Sequence, residues 1–239
     1  MTTTEPTRRA PGRTPLSRDR VLRAAALLAD AGGLATVTMR HVAAELGVEA
    51  MSLYHHVKGK EALLDGLVEV VASEVHAEIG RRHLPADDWR AVVRERCLAA
   101  RTVMLRHPWA PALLGTRTSI PPAVFGLYEE VLGAMVRGGC SYRLAHRAMH
   151  ALGSMVLGFS QELFSPAGAG GAPETDDADD AAEAALAAMA EALPHLTAMV
   201  AAELHDAGDP TLGWCDSQTE FEFTLDLLLD GIERARAAG

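Results

Sequence analysis

A chain of 239 residues and 25.4 kDa is long enough for one large domain or two small ones with a sizeable buried core. Its residues are 49% hydrophobic but only 5% aromatic, a balance that suits packed helices and argues against a β-sandwich. The net charge of −10 excludes nonspecific coating of nucleic acid, yet residues 1–60 hold nine Lys/Arg against five Asp/Glu, a local +4 that leaves −14 on the rest.

In chain order, residues 1–15 read as a flexible basic arm, without the apolar core of a signal peptide. Ser17 then caps a helix whose face is Val21, Leu22, Ala25, Leu28 and Ala29, stopped by Gly32-Gly33. Thr38 caps a short second helix through Met39, Val42, Ala43 and Leu46, ended by Gly47. A third helix is predicted over 50–57, before the break at Lys58-Gly59-Lys60. A longer one follows over 60–80, with Leu64, Leu67, Val68, Val71, Val75 and Ile79 along a broad stripe.

After a loop at Pro85, Asp87 or Asp88 starts a helix that runs to about His107 and is closed by Pro108. Two more helices are predicted over 122–138 and 141–163. Residues 165–180, rich in Gly, Pro and Ala and then acidic, read as a mobile loop. Helical pattern resumes over 181–207, broken near Pro194, and a last helix covers 218–236. No segment alternates as a strand, so the expected fold class is all-α. Its expected domains are the arm, a helix-turn-helix DNA-binding unit at 16–62 and a helical ligand-binding and dimerisation unit at 63–239.

No run approaches the roughly 18 apolar residues of a membrane span, so no membrane partner is expected. Cys97, Cys140 and Cys215 are odd in number, far apart and without CxxC spacing, which reads as reduced thiols in a cytoplasmic protein.

Residues 38–60 read TMRHVAAELGVEAMSLYHHVKGK. Two short helices can cross only where a small residue sits, here Ala43, and Gly47 suits a left-handed turn between them. Val48 plugs that turn, while Leu46, Leu53 and Val57 seal the underside, a helix-turn-helix arrangement whose second helix enters the major groove. Its exposed face presents Ala50, Met51, Ser52, Tyr54, His55 and His56, a mixture able to bond phosphates and base edges. Arg40 can reach a guanine, and Lys60 with its helix start suits a phosphate. With Thr38 these form the candidate DNA-binding set, in which Tyr54 is expected to touch phosphate and His41 reads as solvated.

Thr38, Ala43, Gly47-Val48, Leu53-Tyr54, His56-Val57, Lys60 and Leu63 closely resemble the signature of the tetracycline-repressor (TetR) family over about residues 18–67. The resemblance implies a transcriptional repressor that binds a palindromic operator as a homodimer, and a helical body whose small-molecule effector changes the spacing of the two heads. It also implies operator contacts at Arg40, Ser52, Tyr54, His55, His56 and Lys60. Ala50 and His55 replace a polar base-reader and a tryptophan of the family's namesake, so a different operator is expected.

The body resembles the same family more faintly, at Leu114-Gly115-Thr116-Arg117, at Gly139, Gly153 and Leu157-Gly158, and at Glu162. By that resemblance His76 falls at a drug-contacting histidine and Glu162 near a bound magnesium, while Leu113 stands where the metal-ligating histidine belongs. A leucine cannot donate to magnesium, so neither metal nor cofactor is expected.

Candidate ligand-binding residues are Leu113, Arg117, Tyr128, Val131, Leu132, Met135, Met149, Leu152 and Met155, with His76 and either Arg96 or Arg117 as polar anchors. Each apolar member equally fits an ordinary core. Leu144, Ala148, Ala151, Leu152, Met155 and Phe159 on one helix, and Phe221, Leu225, Leu228 and Ile232 on the last, suit a four-helix dimer interface or the chain's own core. Nothing suggests an enzyme: there is no catalytic triad order, phosphate loop or metal-ligand cluster, and the acids at 176–180 read as a solvated run. A DNA-binding regulator without an effector, or an activator, remains the alternative function.

Overall fold

Helix-forming segments punctuated by caps and glycines produce the secondary structure. The computed structural model describes residues 15–82, 88–118, 120–159, 190–195, 197–198 and 217–238. Their helices are α1 (Arg18–Gly32), α2 (Met39–Leu46), α3 (Ala50–Leu53), α4 (Lys60–Gly80), α5 (Trp89–Arg106), α6 (Ala110–Thr116), α7 (Pro122–Arg137), α8 (Tyr142–Gly158) and α9 (Ser217–Ala237). A 3-10 turn at Leu34–Thr36 joins α1 to α2, and no strand occurs among the described residues. The all-α expectation holds. The arm at 1–14, the loop at 165–180, most of 181–207, Glu162 and Cys215 lie outside the described residues.

Three elements differ from the sequence reading. α3 stops at Leu53, where a helix to residue 57 was expected, because Tyr54 N–H and His56 N–H close tighter bonds to the Met51 and Leu53 carbonyls at 3.2 and 2.9 Å. α8 ends at Gly158 rather than 163. α6 was missed altogether. Its Pro111 stands in the first turn, where a missing N–H costs nothing, so the residue that reads as a breaker is a starter.

The chain packs as two compact units. The first contains α1 to α4, α5 from Leu98 onward, α6 and α7 up to Val131. α1 packs on α4, with Val21, Leu22, Ala25, Leu63, Leu67 and Val71 buried. The pair is pinned at one end by a two-pronged Arg18–Glu69 ion pair, at 2.7 and 2.9 Å. Packing does not break at residue 62, where the sequence placed a boundary. α4 runs unbroken from Lys60 to Gly80 and serves α1 and α6 within one unit.

The second unit holds α5 up to Cys97, α7 from Leu132, α8 and α9. α8 packs on α9, burying Ala145, Ala148, Leu152 and Met155 from one helix and Phe221, Leu225, Leu229 and Ile232 from the other. Phe159 meets Phe221 edge-on, with ring centroids 5.6 Å apart. Arg90 and Arg94 of α5 form a ladder with α9: Arg94 bonds Glu222 at 2.6 Å and Asp226 at 3.2 Å, and Arg90 bonds Asp230 at 2.6 Å.

Burial pushes the Cys97 thiol up to about 12, so almost no thiolate exists near neutrality. Cys97 is therefore expected to resist a thiol reagent at pH 8 in the folded protein and to react once denatured, as mass spectrometry of the labelled peptide would read.

Candidate nucleic-acid interface

The recognition unit is assembled from caps. The Ser17 hydroxyl accepts from Arg20 N–H at 3.2 Å and starts α1; the Thr38 hydroxyl accepts from His41 N–H at 3.1 Å and starts α2. His41 is exposed but not merely solvated, since its Nδ1 lies 2.8 Å from the Thr36 carbonyl and closes the capping turn. At the other end of α2, Gly47 adopts φ 63° and ψ 39°. Its N–H and that of Val48 return to the Ala44 and Ala43 carbonyls at 3.1 and 3.0 Å. This double bond pattern satisfies the helix end and needs a residue free of Cβ strain at the left-handed position.

The turn fixes α3 against α2. Leu53 and Val57 are buried beneath it and Val42 and Ala43 lie on the α2 side, so the opposite face of α3 stands outward. There Met51 is 72% and Tyr54 45% exposed, and His55, Arg40 and Lys60 are exposed as well. Ala50, Ser52, His56 and Thr38 are half-buried at the edges of the same surface. α4 begins after Gly59, at φ 100°, with no side-chain cap bond from that position. A shallow groove beside α3 is lined by Leu16, Arg20, Gly47, Val48, Glu49 and Ser52. Leu16 and Arg20 escaped the sequence reading, because only the crossing of α1 past the turn brings them there.

The expected ligand-binding residues divide. His76, Leu113, Arg117, Tyr128 and Val131 belong to the first unit, and Arg96, Met135, Met149, Leu152 and Met155 to the second. Leu113, Met135, Leu152 and Met155 are buried, Met135 completely, while Met149 and Val131 are half-buried and Tyr128 is 42% exposed. Arg117 departs from the role of an open anchor, since its Nη1 bonds Glu61 at 3.0 Å and Asp65 at 3.1 Å on α4. Burial lowers the basicity of this guanidinium, but the two carboxylates outweigh that and raise its pKa. His76 is half-buried: its Nδ1 sits 2.9 Å from the Ala72 carbonyl, and its Nε2 lies 4.0 Å from Glu130. Gly126 lets α7 approach that ring, since a Cβ there would stand 3.7 Å from Nε2.

The dimer assignment is corrected in part. Ala148, Phe221, Leu225 and Ile232 are buried inside the chain, so they cannot also form a partner-facing stripe. Leu144, Phe159 and Leu228 are half-buried and Ala151 is exposed. The apolar side chains that α9 turns outward are Phe223 and Leu227, at 60% and 53% exposure. Period alone located the apolar stripes but not what each stripe meets.

A tight three-helix head with an outward, polar and partly aromatic α3 is the geometry of a major-groove reader. Residues 21–67 match the family described as bacterial regulatory proteins, tetR family, and residues 83–236 match the tetracyclin repressor-like C-terminal domain. The chain is 30% identical to the tetracycline repressor protein class G of Vibrio anguillarum over 228 residues, covering 94% of this chain and 97% of that one. It is 39% identical over 131 residues to the HTH-type transcriptional repressor DrrR1 of Streptomyces coeruleorubidus, 53% of this chain and only about half (47%) of that relative's length. Among solved structures, ActR of Streptomyces coelicolor without ligand superposes with a TM-score of 0.68 at 26% identity, over 94% of this chain and 98% of that one. The same protein in complex with actinorhodin gives 0.67 at 25% identity, over 92% and 97%. The chain belongs to the TetR family of bacterial transcriptional regulators.

Proposed function

We propose that this chain is a ligand-responsive repressor that binds a palindromic operator as a homodimer and leaves it when a small molecule occupies the C-terminal part. The outward face of α3, held by the Gly47 turn over buried Leu53 and Val57, carries the reading. Met51, Ser52 and His55 read the groove, Arg40 reaches a base edge, and Thr38, Tyr54, His56 and Lys60 hold phosphates. The cytoplasm is the compartment of that DNA, and among the described residues no helix is long and apolar enough to cross a membrane.

Fluorescence anisotropy on DNA from beside the chain's own gene, against scrambled duplex at fixed near-physiological salt, tests this. Preference for the native fragment by roughly a thousandfold is expected. Tyr54→Ala, which removes an exposed ring without touching the core, is expected to cut specific binding by about tenfold or more while the fold stays intact. Unchanged affinity in that variant would misplace α3.

The homodimer is proposed to form through outward Phe223 and Leu227 on α9 together with Ala151 on α8. A single head buries too little DNA for tight binding. Phe223→Glu with Leu227→Glu is expected to yield a monomer in sedimentation and to abolish operator binding; a dimer that survives both charges would refute the interface.

His76, with its half-exposed ring and an Nε2 that faces Glu130 only at 4.0 Å, is the proposed polar anchor for the effector. A tetracycline and actinorhodin are the first compounds to titrate, because one relative is named a tetracycline repressor and ActR is solved in complex with actinorhodin. Leu113 offers no donor to a cation, so magnesium is expected to leave the affinity for a tetracycline unchanged.

A further inference from the structure

α8 carries a pair of side chains that neither the fold nor the proposed regulation uses. Its inward face is spent on Ala145, Ala148, Leu152 and Met155. His146 and His150 stand on the opposite, exposed face, one helical turn apart. Their rings meet edge to face, with centroids 4.7 Å apart and planes at 85°, and their Nε2 atoms are 3.3 Å from each other. Neither ring has another hydrogen-bond partner among the described residues. A separation of 3.3 Å fits an N–H···N hydrogen bond, and it also fits two donors to one cation.

We propose that His146 and His150 form a two-histidine site for a zinc-like divalent transition-metal ion. Two nitrogens bound at about 2.0–2.1 Å around a tetrahedral ion stand roughly 3.3–3.4 Å apart, whereas neighbouring positions of an octahedral ion would bring them to about 2.9 Å. The observed 3.3 Å is the tetrahedral span. Neutral imidazole is a borderline donor that selects zinc, copper or nickel over magnesium and calcium, whose ligands are oxygens. The i, i+4 spacing is also the one by which a single helix presents two histidines to one zinc ion.

No group of three or more His, Cys, Asp or Glu able to hold a metal assembles among the described residues. Among the described residues the site has two ligands, and solvent or a small anion completes the shell. Arg143 and Arg147 share the exposed face, so an anionic third ligand is favoured over a neutral one.

Zinc chloride is titrated calorimetrically into the full chain after its metals are stripped with a chelator. One zinc per chain is expected, together with a rise in melting temperature, since a cation that joins two positions of α8 binds only the folded helix. His146→Ala and His150→Ala, both at exposed positions, should keep the circular dichroism of the parent and each weaken zinc by about tenfold or more. Magnesium chloride should produce neither effect. The chain has ten histidines, so zinc binding that persists unchanged in the double variant would place the metal elsewhere and overturn the assignment. The absence of any zinc binding would overturn it too, leaving a shared proton between the rings.

Discussion

Replacing His107 with alanine is expected to lower the melting temperature by about 10 °C, the product of roughly 3 kcal/mol lost and the 2–4 °C per kcal/mol usual at this chain length. The imidazole is 3% exposed and sits between two carboxylates from different helices. Its Nδ1 lies 2.7 Å from Asp30 at the end of α1, and its Nε2 3.2 Å from Glu74 on α4. Each ring nitrogen thus meets one carboxylate. Asp30 also accepts from Trp109 Nε1 at 2.6 Å, and Glu74 from Arg106 at 2.5 Å. One side chain in the α5–α6 corner thus ties together α1 and α4, the helices that carry the DNA-reading head.

Alanine would leave two carboxylates aimed at a void, with no ring nitrogen between them. The loss should fall at the low end of the range for broken buried pairs, about 3 kcal/mol, because both acids keep nearly a third of their side-chain surface in water (29% and 33%). Gln in the same place can donate to only one of them and should recover part of the loss. Trp109→Phe removes one donor and keeps the ring contact at 5.3 Å, so its effect should be smaller than either. Thermal unfolding at one fixed pH ranks the three. A His107→Ala shift within about 2 °C of zero, the worth of under 1 kcal/mol, would show that the node is not a clamp.

Gly66→Val is expected to damage stability and operator binding together. A Cβ at Gly66 would come within 2.3 Å of Leu22 Cδ2, 3.0 Å of Cδ1 and 3.2 Å of Cγ. Leu22 is 3% exposed, so its side chain must shift within a packed core or α1 must lift from α4. Overpacking of this kind costs about 1–3 kcal/mol. α1 also holds α2 in place, and α2 holds α3, so the displacement passes to the recognition surface. Gly80→Ala is the matched control: nothing lies within 4 Å of its Cβ, and a helical glycine replaced at a compatible site gains about 0.4–1 kcal/mol. Denaturant unfolding and anisotropy on the same two proteins separate the cases. Wild-type operator affinity in Gly66→Val would mean that the α1–α4 crossing does not set the position of α3.

The head was legible residue by residue because its signals are local. The Ser17 and Thr38 hydroxyls accept from N–H groups three residues on, and Gly47 declares its left-handed turn through the absence of a side chain. Helix periods were equally plain, and α1, α2, α4, α5, α7 and α9 lie within a residue or two of expectation. α6 was hidden because its proline and glycine weigh against a helix, while the buried Trp109 and Leu113 that anchor it count only once they have something to pack on.

The all-helical class, the helix-turn-helix and the charge split between head and body follow from composition, caps and period, which act over a handful of neighbours. The destination of each apolar stripe does not. The pattern of α9 marks Phe221, Leu225 and Ile232 as one face, but burial against water has no direction, so a stripe pointing at α8 looks the same as one pointing at a second chain. Folding resolved that choice and set Phe223 and Leu227 outside instead. The polar ties are beyond sequence for a related reason. Arg18 and Glu69 are 51 positions apart, and Asp30 and His107 are 77 apart; each pair exists only because packed helices bring distant charges to hydrogen-bond range.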